Sequence, residues 1–171
     1  VFAGALFLLP LLGCADTTNV QVCPGTAILA ATARLTVMRP NAPRDPSGEL
    51  YTVRLTGAKT DCDFDKPTSI TTSTLDLTFH ASRTPSAAGA TYSVQYFVAT
   101  TQGARVLTKD LHTASFSFAP GAQTADFTDH ISDIHIHQEA NTYGGYYQVT
   151  AGLQLTEADR AYNRLVGRYV P

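Results

Sequence analysis

The densest set of chemistry-bearing side chains lies in Asp129-His130-Ile131-Ser132-Asp133-Ile134-His135-Ile136-His137. On an extended strand, residues two apart share a face, so His135 and His137 point the same way and Asp133 joins them. Imidazoles at that spacing can both reach one zinc or copper ion, with the carboxylate as a further ligand. The same residues also read as the polar outer face of a strand whose inner face is Ile134 and Ile136. A second cluster, Asp61-Cys62-Asp63-Phe64-Asp65, places three carboxylates at the spacing that opens a calcium loop. Lys66 stands where such a loop needs glycine, and Thr72 where it needs its closing glutamate; otherwise the cluster is a solvated acidic rim.

Nucleophilic chemistry has less to build on. Ser73, Asp76 and His80 fall along one strand, but no Gly-x-Ser-x-Gly surrounds any serine, and the expectation is a non-enzymatic protein. A hydrolase would need His80 or His130 beside a nucleophile. Tyr143, Tyr146, Tyr162 and Tyr169 can stack on sugar rings if exposed, and Tyr146 is expected to point away from the core.

These residues must be positioned by strands. The chain has 171 residues, rich in Thr, Ser, Ala and Val and without Trp, which is a β-rich, exported-protein profile. A net charge of −2 with 15% charged residues gives nothing to draw it to nucleic acid. Leu29 to Val37 alternates apolar and polar residues and reads as one strand, followed by a loop from Arg39 to Gly48 with three prolines. Further strands are expected around Tyr51–Leu55, Ser73–Ser82, Tyr92–Thr100, Arg105–Lys109, from Ala125 through Ile136, and Tyr147–Leu155. Leu111 and Thr113 fall out of phase with Phe116 and Phe118, which predicts a bulge or a break near Ala114. Thr156, with Asp159 three residues on, predicts a capped C-terminal helix that stops at Gly167. The sum is an all-β, two-sheet antiparallel β-sandwich of about seven strands with a short C-terminal helix. A strand from 29–37 paired with one from 147–155 would hold the chain ends together.

The apolar, uncharged run Val1 to Leu12 ends in Leu11-Leu12-Gly13-Cys14, followed by polar Ala15-Asp16-Thr17-Thr18-Asn19. This resembles the lipobox of a bacterial lipoprotein, in which the cysteine becomes the acylated N-terminus. Residues 1–13 then read as a signal-peptide h-region truncated at its start, 14–26 as the lipidated cysteine and a tether, and 27–171 as the sandwich domain. A helix of twelve residues reaches roughly 20 Å, short of a permanent span. Under this reading Cys14 takes lipid, the one covalent group expected, and Cys23 and Cys62 remain as a pair that an oxidising periplasm would bond.

Thr91 to Lys109 resembles immunoglobulin-like or fibronectin-like bacterial domains. With Leu12-Gly13-Cys14, Cys23-Pro24, Arg39-Pro40, Cys62 and Leu155-Thr156…Ala161-Tyr162-Asn163-Arg164, the layout resembles outer-membrane lipoproteins of alphaproteobacteria that carry no assigned activity. The resemblance implies a lipid-anchored, non-enzymatic envelope protein on the periplasmic side of the outer membrane. Its partners would be the membrane, through the anchor, and another envelope protein, met by edge strands and the C-terminal helix. The alternative is a ligand-binding module, for a metal at His135, His137 and Asp133 or for a glycan.

Overall fold

Alternation builds the core directly: Leu75, Leu77, Phe79 and Ala81 are fully buried, while the intervening Asp76 and Thr78 are exposed. A computed structural model describes residues 23–86 and 88–167. Among these, the strands are β1 (Gly25–Ile28), β2 (Arg34–Met38), β3 (Glu49–Asp65), β4 (Ile70–Arg83), β5 (Ala90–Gln102), β6 (Arg105–Phe118), β7 (Thr124–His137) and β8 (Tyr147–Leu153). One sheet runs β1-β8-β5-β6 and the other β2-β3-β4-β7, and helix α1 (Glu157–Leu165) follows β8. The chain crosses between sheets from β1 to β2, from β4 to β5, from β6 to β7 and from β7 to β8. Because β7 lies beside β4 and β8 beside β5, these crossings lock the two layers together.

The expected two-sheet sandwich with a terminal helix is therefore present, with eight strands and one parallel pair. The parallel pair is β1 with β8, Gly25 opposite Gln148 through Ile28 opposite Ala151. Instead of the single strand expected over Leu29–Val37, Gly25–Ile28 pairs with β8 and Arg34–Met38 forms β2 in the other sheet. After Ile28 the chain makes a 3-10 turn at Ala30–Thr32, with Thr32 Oγ1 donating to the Leu29 carbonyl, and enters the opposite sheet as β2. The period-2 pattern runs through the crossing, so periodicity alone cannot see it. Gly25 and Thr26, read as the end of a tether, already belong to β1.

Aromatic rings fill the centre. Phe127 stacks on both Phe79 and Phe116, at 4.8 and 4.6 Å between centroids, and Tyr51 and Tyr92 close one end. The bulge or break expected near Ala114 is absent: β6 runs through it. Ala114, Phe116 and Phe118 face inward in unbroken register with β5, and Leu111 points outward, so no extra residue is required. The irregularity of Ile131, Ile134 and Ile136 is a real bulge: Leu75 pairs with Ile131 and Ser73 with Ile134, and Asp133 takes up the extra residue at φ +59°.

The helix forms as its sequence predicts. Thr156 accepts from the Asp159 backbone and the Asp159 carboxylate accepts from Thr156, a reciprocal capping box. Gly167 follows the last turn at φ +63°, a conformation open to glycine without strain. Tyr162 Oη donates to Glu49 at 2.6 Å, and Asn163 Nδ2 donates to the Arg34 carbonyl at 2.8 Å, which dock α1 against β2 and the start of β3. Arg44 pairs with Asp159 at 2.7 Å and holds the proline-rich loop to the helix cap.

Candidate interaction surface

The residues singled out for chemistry are mostly kept apart. His130 Nδ1 lies 2.6 Å from Asp76 Oδ1 and His80 Nδ1 lies 2.7 Å from Asp126 Oδ1; both are cross-strand pairs on the solvent face of β4 and β7. His135 Nδ1 meets the Thr72 hydroxyl at 3.2 Å. Asp133 sits on the bulge and accepts from Ser132 Oγ, out of line with His135 and His137, so the three expected metal ligands are not brought together. Among the described residues no three His, Cys, Asp or Glu side chains form a group that could hold a metal ion. Ile134 and Ile136 face the core, as the polar-outer-face reading requires.

The calcium-loop reading is also corrected. Asp61, Asp63 and Asp65 lie on β3 itself, where alternate side chains are roughly 7 Å apart, not on a curled loop. Asp65 accepts from Thr68 Oγ1 and closes the turn to β4. Ser73 is wholly buried on the inner face, whereas Asp76 and His80 are on the outer one, so they form no catalytic set. Of the tyrosines, Tyr143 and Tyr146 are exposed and pack edge to face at 4.6 Å. Tyr162 is buried on the docked face of α1. Cys14 and Tyr169 lie outside the described residues. Cys23 and Cys62 are joined, with Cα atoms 5.7 Å apart, and pin the start of β1 to the β3–β4 hairpin.

Two features escaped the sequence reading. The first is a polar bridge between the sheets. Tyr96 on β5 is almost fully buried and donates to Asp129 Oδ2 on β7 at 2.7 Å, with His112 stacked on its ring at 5.2 Å. Burial, reinforced by the hydrogen bond to Asp129 and that carboxylate's charge, pushes the Tyr96 phenol well above its usual range. The signal was the odd-numbered phase of Phe127, Asp129 and Ile131, which points a carboxylate inward.

The second feature is the outer face of the β1-β8-β5-β6 sheet, which carries apolar groups where the opposite sheet carries charges. Phe97 and Ala99 on β5, with Ala27 and Leu29, line a recess of about 460 Å³. Val106 and Leu111, at 60% and 61% exposure, stand on β6 beside it, and Lys109 Nζ covers the Phe97 ring at 4.6 Å. Gly152 makes the room: a Cβ there would meet Thr32 Oγ1 and lie 2.7 Å from Phe97 Cζ. Among the described residues β6 is an edge strand of 14 residues, so one side of its backbone offers N–H and C=O groups that no described strand pairs. Arg105 and Gln102 both reach Glu139 and tie the β5–β6 turn to the β7–β8 loop, and hydrogen bonds from Arg105 and Gln102 hold the Glu139 carboxyl below its usual range.

No protein-family model, curated protein or solved structure matches the chain.

Proposed function

We propose that the protein is a lipid-anchored, non-enzymatic module of the bacterial cell envelope, held through acylated Cys14 at the periplasmic face of the outer membrane. Its sandwich docks an extended segment of another envelope protein along β6. The observation that carries the docking is the long, open β6 edge with Val106 and Leu111 exposed beside an apolar recess. An added strand would pair with the free β6 backbone, and its apolar side chains would cover Leu111 and Phe97. The lipobox-like Leu11-Leu12-Gly13-Cys14 supports the tether, and a disulfide suits an oxidising compartment.

Intact mass of protein extracted from membranes tests the anchor. The expected species begins at Cys14 with added acyl chains and an oxidised Cys23–Cys62 pair; an unacylated cysteine refutes the tether. Docking is tested by a photo-crosslinking residue placed at Val106 or Leu111, with Thr128 on the opposite sheet as control. One discrete adduct at 106 and 111 that is absent at 128 is expected, and equal labelling at all three positions refutes the β6 assignment.

A further inference from the structure

The register of the β2-β3-β4-β7 sheet lines up charges that the sequence scatters. Arg34 pairs with Arg54, Arg54 with His80, and His80 with Asp126, so three basic side chains and one carboxylate form a single row across four strands on the outer face. The neighbouring row, Thr36, Thr52, Ser82 and Thr124, is made entirely of hydroxyls. Like charges directly opposite one another weaken strand pairing, and an anion bound at Arg54 would offset part of that repulsion.

The row lies in an open groove of about 490 Å³, bounded on one side by the Arg83-Thr84-Pro85 segment. Arg34, Arg54 and Arg83 line the groove together with the carboxylate Glu49, and Asp126 ends the row beside His80. Arg83 is held by the carbonyls of Ala88, Ala119 and Ala122 and by the Phe118 ring, so its hydrogen bonds leave its charge unneutralised. The side chains of Arg54 and Ser82 make no hydrogen bond or ion pair among the described residues. His80 uses Nδ1 on Asp126 and keeps Nε2 for another partner.

From this geometry we infer that the groove binds a phosphate group, free or on a larger molecule, with Arg54 as its principal ligand and Ser82 and His80 as additional hydrogen-bonding groups. A guanidinium fork fits phosphate oxygens in pairs, and the hydroxyl supplies a neutral donor. The site is independent of the β6 edge, which is on the other sheet, and of lipidation at Cys14.

Inorganic phosphate is titrated into the full chain at constant ionic strength set with chloride, because screening alone would mimic a weak effect. The readouts are thermal midpoint and the backbone NMR shifts of residues 52–54 and 80–82. A saturable response is expected. Arg54→Gln raises its midpoint concentration roughly tenfold or more, as loss of a charged hydrogen-bonding pair requires, and Ser82→Ala raises it less. His130→Gln, on the same sheet face but outside the groove, leaves it unchanged. Vesicles of phosphatidylcholine with and without phosphatidic acid separate the sources of the group. Retention that needs phosphatidic acid and is lost in Arg54→Gln assigns the site to a lipid headgroup, and a response to inorganic phosphate alone assigns it to a soluble phosphate. Absence of both responses overturns the inference, as does a response equally weakened by His130→Gln and Arg54→Gln. Circular dichroism of each variant verifies that this exposed substitution leaves the sandwich folded.

Discussion

Replacing Tyr96 with phenylalanine removes one oxygen from the contact between the two sheets. The ring is 1% exposed and keeps its packing against Phe79 and His112 in the variant. What disappears is the 2.7 Å hydrogen bond to Asp129 Oδ2. A bond to a charged acceptor contributes about 1.5–3 kcal/mol, and losing it leaves the carboxylate short of one donor. Asp129 still accepts from the His130 backbone through Oδ1 and reaches solvent at the sheet edge, which favours the lower half of that range. The effect has a pH signature. The folded protein raises the Tyr96 phenol above its ordinary value, so the neutral phenol favours the native state. That contribution is whole below about pH 10, and it declines as pH rises, by about 1.4 kcal/mol per unit for one proton, until the folded phenol itself ionises. Tyr96→Phe lacks this slope. Its penalty relative to the native chain is therefore largest at pH 7 and shrinks above pH 10. Urea unfolding midpoints of both proteins at pH 7 and pH 11 measure the two differences. A penalty below about 0.5 kcal/mol at pH 7, or one of equal size at both values, refutes the assignment of a stabilising inter-sheet bond.

Three further variants probe the packing. Changing both Cys23 and Cys62 to serine reopens a loop with a sequence separation of 39, for which chain entropy gives a loss of about 4 kcal/mol in urea unfolding. Hydrogen exchange should show β1, only four residues long, opening first. Gly152→Ala forces a methyl group into Thr32 and Phe97 on the outer face of β8 and should lower stability by about 1–3 kcal/mol, read as a drop in thermal midpoint. Ser73→Ala should be neutral or stabilising in urea melts, because the Ser73 hydroxyl is buried with no hydrogen-bond partner.

Much of the fold can be read from local pattern. The alternation over Leu75 to Ala81, and again over Tyr147 to Leu155, names core residues correctly because a strand has only two faces and apolar side chains choose one. The capping box at Thr156 and Asp159 is equally local, since both hydrogen bonds close within one turn. Where the reading failed, parity or pairing decided. Ser73, Asp76 and His80 looked like neighbours along the chain, but an odd separation puts Ser73 on the opposite face from the other two. Leu111 is apolar yet outward, because the aromatic residues that follow it had already set the phase of β6. The crossing at Ala30–Thr32 was invisible because the alternation continues unchanged on both sides of it.

By itself the sequence determined the class of the fold, the core-facing side of the long strands, and the helix with its cap. Tertiary structure alone decided the row from Arg34 through Arg54 and His80 to Asp126, the Tyr96–Asp129 bridge and the apolar face beside β6. The physical reason is that a strand's periodicity is a property of its own backbone. The partner a residue meets across the sheet depends on register, which turns, bulges and the packing of the whole sandwich set together.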